Sequence, residues 1–337
     1  MKCVKEKRQK VIIDSDMGWD DVLAINYLLK HPNIEIIGIT VTGCGETDLR
    51  WGTIIAQNIL GLAKQNQAKV SVGTSTPMKF NHMFPQSFKD NMNGIVGLIG
   101  SLNPKDVAEV DPRPAWTFIA DTLNETEDPI DILSIGGFTN LAKMLKLHPQ
   151  ACVEKIRSIH AMAGAVYVDG NIYNLSDSNP SWDQGLIYTS NHYAEWNIFI
   201  DPLAAKIVFE SQLPLTLVPL DACSYVLFRE YYAKRIKAND PIAALSREMI
   251  ERKLNESSEG HPLPVFDPLS ALIMAGGIEI NQSHLEYLDV NLTETSKDNH
   301  CGDTFVTNSG SRKIEIVQGV SEFAFVENYS KIMNRAF

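Results

Sequence analysis

Four aspartates, Asp14, Asp16, Asp20 and Asp21, occupy the last eight positions of the stretch VIIDSDMGWDD, Val11–Asp21. Like charges this close repel, and burial sharpens the repulsion because it disfavours the charged form. An apolar run that ends in such a cluster therefore calls for something cationic among the carboxylates. A plainer use also exists: Asp20 and Asp21 suit the first turn of a helix, where the helix dipole favours negative charge, with Asp14 and Asp16 as loop residues. That use explains two carboxylates and leaves two unexplained. A hard cation explains all four. Ca²⁺ takes six to eight oxygens from carboxylates, main-chain carbonyls and water, and Gly18 lets the DxDxGxDD turn bend sharply. A bound cation lowers the pKa of a coordinated water, and a carboxylate not fully neutralised then serves as its base. Asp16 is the natural candidate, with Asp14 and Asp21 sharing the orienting and metal-holding work.

A third use is covalent. An apolar strand ending in DxD resembles the haloacid-dehalogenase-like phosphatases, in which the first Asp, here Asp14, is the nucleophile, the second is the acid, and Mg²⁺ is held by a later acidic pair. Met17 stands where that family usually has Thr or Val, and the later sequence offers no convincing match for its lysine or second acidic pair.

The surrounding pattern shows what must hold these residues. VIID is a strand, DDVLAINYLLKH a helix by its apolar spacing, IEIIGITVTG a strand, GTIIAQNILGLAK a helix and AKVSVG a strand. IDILSIGG, NLAKMLKLH and IRSIHAMAGAV continue the alternation. Such βαβα order predicts an α/β fold with a mostly parallel central sheet and helices on both faces, Rossmann-like in kind. Ligands of these folds bind beyond the carboxyl ends of the strands, where the aspartates, Ile135-Gly136-Gly137 and Met162-Ala163-Gly164 fall. Further helices are expected near Pro202–Phe209, Asp240–Lys253 and Asp267–Ala275 and from about Val320, with strands at LEYLDVNL and RKIEIV. Thr74–Asn93 and Ile172–Tyr193 read as loops. No linker or repeat divides residues 1–337, which are taken as a single domain.

Composition narrows the function classes. Thirty basic residues against 41 acidic give a net charge of −11, which argues against a nucleic-acid partner. No apolar run approaches membrane-spanning length, and MKCVKEKRQK lacks the apolar segment of a signal peptide. Five scattered cysteines with no CxxC suit reduced thiols in a cytosolic protein.

DSDMGWDD, taken with GGFTN, MAGAVYVDGN, AEWNIFIDPLAAKIVF and the lone Asp before PLSALI, resembles the nucleoside hydrolases of the inosine–uridine-preferring superfamily from about Val11 to Ala275. AEWNIFIDP is the most specific of these motifs. The resemblance implies hydrolysis of the N-glycosidic bond of ribonucleosides, a tightly bound Ca²⁺, and a homodimer or homotetramer. It implies Asp16 as the general base on a calcium-bound water, itself touching the metal, with Asp21, the main-chain carbonyl of Ile135 and Asp267 as further metal ligands. Asp20, Met162, Asn171, Glu195 and Asn197 match positions lining the ribose, and Asp14 matches a residue that orients the loop. The chemistry is coherent: glycoside cleavage passes through an oxocarbenium-like state, which surrounding carboxylate and amide oxygens stabilise. Without the resemblance, Asn171 reads equally as a turn residue and Asp267 as a helix cap.

Two departures bear on specificity. Many members place a His before the last metal-binding Asp as acid for the leaving base; here that residue is Phe266, and His261 is expected to face solvent. One branch, selective for inosine, adenosine and guanosine, has an aromatic residue there and another in an earlier loop. NHMFPQSFKD resembles that loop, so Phe88 is expected to stack the base against Phe266 and purines to be preferred. The second departure is VTGCGETD, where Gly45 or Glu46 stands near the place of a family Asn that points at the sugar. Cys44 is expected to be structural, and Trp182 or Tyr188 of the second loop to be able to close over a substrate. A catalytically silent nucleoside-binding protein remains the third functional alternative beside hydrolase and phosphatase.

Overall fold

The computed structural model describes residues 7–102, 104, 106–172, 190–257 and 261–336. Trp182 and Tyr188 lie outside the described residues. The strands in chain order are β1 (Gln9–Ser15), β2 (Ile34–Val41), β3 (Lys69–Val72), β4 (Val110–Asp111), β5 (Ile130–Ile135), β6 (Ile156–Ala161), β7 (Leu215–Leu217), β8 (Leu227–Phe228), β9 (Leu263–Pro264), β10 (Ile280–Val290), β11 (Thr304–Thr307) and β12 (Ile314–Val320). Ten of them form one sheet in the order β11-β10-β12-β7-β6-β5-β1-β2-β3-β4. Every pairing from β12 to β4 is parallel. Only β10 runs against its neighbours, pairing antiparallel with both β12 and β11. β8 and β9 form a separate two-stranded ribbon.

The central strands are apolar because helices cover both faces of the sheet. Along β1 the side chains alternate between two cores, Val11 and Ile13 entering one and Ile12 the other. The first core joins the sheet to helices Trp19–Lys30, Pro241–Glu256, Asp267–Met274 and Glu322–Met333. The second joins it to Ala115–Glu125, Thr139–Leu147 and Pro202–Phe209. The fold class expected from the alternation is the one observed.

The sheet order locates the site. After β1 the chain steps outward through β2, β3 and β4, then returns to add β5 on the other side of β1. Loops leaving β1 and β5 therefore diverge, opening a crevice at their carboxyl ends. Ser15 pairs with Ile135 in that final register, so the acidic turn and the end of β5 sit side by side.

Some boundaries differ from the sequence reading. Thr74–Asn93 is not all loop, since Gln86–Asn93 is helical and Ile95–Ser101 forms another helix after it. QSFKDNMN is polar and short, so its helical spacing was masked, and Pro85 fixes its start. The strand expected at Leu285 begins at Ile280, with largely exposed residues that carry no apolar pattern. No helix among the described residues is long and apolar enough to cross a membrane.

Candidate functional site

Asp16 is placed by a tight turn. Met17 has a left-handed backbone, φ 63°, a conformation costly for a residue with a Cβ and typical of functional turns. Its N–H donates to Ser15 Oγ at 3.0 Å, and its side chain is fully buried. The chain then enters helix Trp19–Lys30 through Gly18, with Asp20 and Asp21 in the first turn. Ser15 Oγ donates to Asp21 Oδ1 at 2.5 Å and the Gly18 N–H donates to Asp21 Oδ2 at 3.0 Å. Asp21 also lies within hydrogen-bond reach of both Asp16 and Asp267.

Asp267 shows that this gathering is built. The sequence contains three Asp-Pro pairs that open helices. Asp201 and Asp240 are N-caps whose carboxylates accept from Ala204 N and Ala243 N at 3.2 and 2.9 Å. In the third, the cap is Phe266 with no side-chain bond, and Asp267 is already the first helical residue. Its carboxylate turns to Asp21 instead. Asp267 therefore does not serve as the helix cap, and its side chain joins the acidic cluster.

The cavity at the carboxyl ends of β1, β2, β5 and β6 is lined by Asp16, Asp20, Asp21, Glu46, Phe84, Ile135, Met162, Asn171, Glu195, Trp196, Asn197, Phe266 and Asp267. Glu195 is 2% exposed and caps the short helix Trp196–Phe199. Its oxygens accept from Asn197 N and Gly164 N at 2.9 Å each. Asn197 Nδ2 donates to the Met162 carbonyl at 2.9 Å, and Asn171 Oδ1 accepts from Trp196 N at 3.2 Å. These bonds fix the polar wall opposite the aspartates.

Asp14 and Phe88 stand apart from the lining. Asp14 sits beneath the turn, where Oδ1 accepts from Thr40 Oγ1 at 2.7 Å and Asn140 Nδ2 at 2.8 Å. That seat puts it out of reach of a ligand in the cavity and leaves the phosphatase reading without its nucleophile. Phe88 is half-buried behind the wall and stacks on Phe84, ring centroids 5.1 Å apart. Phe84 in turn stacks on Trp196 at 4.1 Å and takes the lining place expected of Phe88. The signal was in the sequence: a residue before proline is held extended, so Phe84 stays out of the helix that Pro85 starts. Trp196 also faces the cavity, and so does Glu46. His261 is exposed, as expected. Burial pushes the Cys44 thiol up to about 11, which suits a structural cysteine.

The electrostatics are those of anions lacking their counter-charge. Burial, then the charges of Asp21 and Glu46, holds Asp16 well above the ordinary carboxylate range. Burial with Asp20, Asp21 and Asp16 does the same for Asp267. Asp20 is pushed up to about 7 and Asp14 to about 6, burial being the main cause in each. Among the described residues no Lys or Arg lines the cavity. Glu46 Oε2, in the cavity wall, is buried without a hydrogen-bond partner among the described residues. An all-oxygen donor set with an orphaned carboxylate oxygen fits a hard divalent cation.

Residues 11–327 match the family described as inosine-uridine preferring nucleoside hydrolase. The chain belongs to this family. The family is metal-dependent, and its reaction, hydrolysis of the N-glycosidic bond of ribonucleosides, replaces the phosphatase alternative. One relative, the pyrimidine-specific ribonucleoside hydrolase RihB of Escherichia coli (strain SE11), is 30% identical over 291 residues, covering 85% of this chain and 84% of its own. The fold is shared with an inosine-uridine preferring nucleoside hydrolase from Bacillus anthracis, at a TM-score of 0.79 and 23% identity over 97% of this chain and 100% of that one. It is shared as well with a purine-preferring ribonucleoside hydrolase from Gardnerella vaginalis, at a TM-score of 0.74 and 24% identity over 97% and 100%.

Proposed function

We propose that the protein is a Ca²⁺-dependent ribonucleoside hydrolase that prefers purine nucleosides and releases free base and ribose. The observation that carries the reading is the turning of Asp267 away from its capping place and onto Asp21, some 246 positions earlier in the chain. Asp16, Asp21, Asp267 and the Ile135 carbonyl would hold the cation, which when bound supplies Lewis-acid polarisation of the oxygens around it.

The chain's own residues do the rest. Asp16 takes the proton from the attacking water; the Glu46 N–H, 2.9 Å from its Oδ2, fixes the rotamer in which it does so. Asp20 and the Glu195–Asn197 wall hold the ribose hydroxyls. A missing 2′-hydroxyl would leave buried acceptors unpaired, so deoxyribonucleosides are rejected. Carboxylates on both sides of the sugar stabilise positive charge developing at C1′. With Phe in place of a histidine acid at 266, departure of the base relies on stacking. Phe84, backed by Trp196 and Phe88, and Phe266 supply the aromatic surface.

The relative named as pyrimidine-specific gives the competing reading, in which uridine is preferred. Incubation with inosine and with uridine, following free ribose with and without a chelator, tests both. A higher kcat/KM for inosine is expected. Equal values or faster uridine overturn the purine preference, and absence of ribose from every nucleoside overturns the activity.

A further inference from the structure

Glu46 is the one carboxylate of the cavity wall to which the scheme above gives no side-chain task. It follows β2 and reaches over the turn that carries the aspartates. An added Cβ at Gly18 would fall 1.9 Å from Glu46 Oε2, and one at Gly45 would fall 1.8 Å from Asp16 Oδ2. Two glycines thus let the loops after β1 and β2 press together, each laying a carboxylate on the other's backbone. This contact places an oxygen of Glu46 within 4.8 Å of oxygens of both Asp20 and Asp21, which lie within the same distance of each other. Oxygens that share one hard cation, each about 2.4 Å from it, are at most about 4.8 Å apart. Glu46 Oε2 is buried and has no hydrogen-bond partner among the described residues. The nearby ammonium of Lys253 is bonded to Glu256 at 2.8 Å.

We propose that Glu46 is a further ligand of the cation, on the Asp20 side of Asp21, and that its charge sets how tightly and with what charge preference the site binds metal. A sugar hydroxyl would satisfy the free oxygen but leave three buried anions uncompensated, whereas a cation answers both needs. An amide at this position would keep the donor oxygen and lose the charge. The proposal rests on the reading of the cavity as a hydrolase metal site.

The test uses the full chain stripped of metal and titrated with Ca²⁺ by calorimetry and with Tb³⁺ by sensitised luminescence. Wild type, Glu46→Gln and Glu46→Asn are compared. Both variants are expected to bind Ca²⁺ at least about tenfold more weakly, to lose still more affinity for Tb³⁺, and to melt higher than wild type when metal-free. A Ca²⁺ affinity within twofold of wild type, with an unchanged ratio of Tb³⁺ to Ca²⁺ affinity, overturns the role of Glu46. Wild type that binds neither ion overturns the metal-site reading itself, which is a different failure.

Discussion

Gly45 offers the sharpest test of how the catalytic turn is built. An alanine there would put its Cβ 1.8 Å from Asp16 Oδ2 and 2.4 Å from Asp16 Cβ. An ordinary carbon–oxygen contact is about 3.5 Å, so something must move by about 1.7 Å. Asp16 cannot yield easily. Its Oδ2 accepts from Glu46 N at 2.9 Å and its carbonyl accepts from Thr47 Oγ1 at 2.6 Å, and Gly136 packs against its backbone. Either the base leaves its place or the loop after β2 lifts and takes Glu46 with it. Misplacing a catalytic group by about 1 Å costs on the order of 10²-fold in rate, and overpacking a tight site costs about 1–3 kcal/mol in stability. Gly45→Ala is therefore expected to lose about 10²-fold or more in kcat/KM while still unfolding cooperatively at a reduced melting temperature. The assay is ribose release from inosine beside a thermal melt. A variant that keeps wild-type kcat/KM would refute the claim that these two loops fix the base by direct contact.

Asp16→Asn keeps the shape of the side chain and removes its basicity, and is expected to lower kcat by about 10²–10⁴-fold; an unchanged kcat would mean that another group takes the proton. Added Ca²⁺ binds only the folded chain, so saturation at about 100 times its dissociation constant stabilises by about 2.7 kcal/mol, read as a higher melting temperature that chelation reverses. No shift with Ca²⁺ would contradict the acidic cluster as its site. Burial raises Glu195 to about 7 against the pull of its main-chain N–H donors. A folded pKa raised in this way contributes stability that is present below the ordinary carboxylate range and lost as pH rises through about 7. The ligand-free protein is therefore expected to weaken across that window, and Glu195→Gln to flatten the loss; a variant with the same pH profile as wild type would show that Glu195 titrates normally.

Much of the site was legible because strands and helices announce themselves locally. An apolar run such as VIID, followed by apolar residues at helical spacing, fixes where a strand ends and a helix begins. In a parallel sheet that junction is also where ligands bind. Asp16, Asp20, Asp21, Ile135 and Met162 all fall at such junctions, and the tertiary structure brings them to one cavity with Glu195 and Asn197, which belong to the short helix Trp196–Phe199 and its cap. Which side of each junction faces the cavity was not local information. Three Asp-Pro helix starts look alike in sequence, yet only Asp267 begins its helix one residue early and points inward. A one-residue change of helix start turns a side chain by about 100°. Here that start is set by packing of Asp267–Met274 against helix Trp19–Lys30, β5 and β6.

The same limit applies to the aromatic wall and to Glu46. The pattern FPQSF announced an aromatic loop, but the stacking of Phe88 on Phe84 and of Phe84 on Trp196 decided which ring meets the cavity. By itself the sequence determined the order of elements, the parallel sheet and the concentration of carboxylates after β1, because those depend on periodicity within a few turns of chain. The tertiary structure alone decided the partners of those carboxylates. Glu46 over Gly18, Asp267 against Asp21 and Asp14 beneath Thr40 are contacts between segments distant in sequence, held by close packing that no local pattern records.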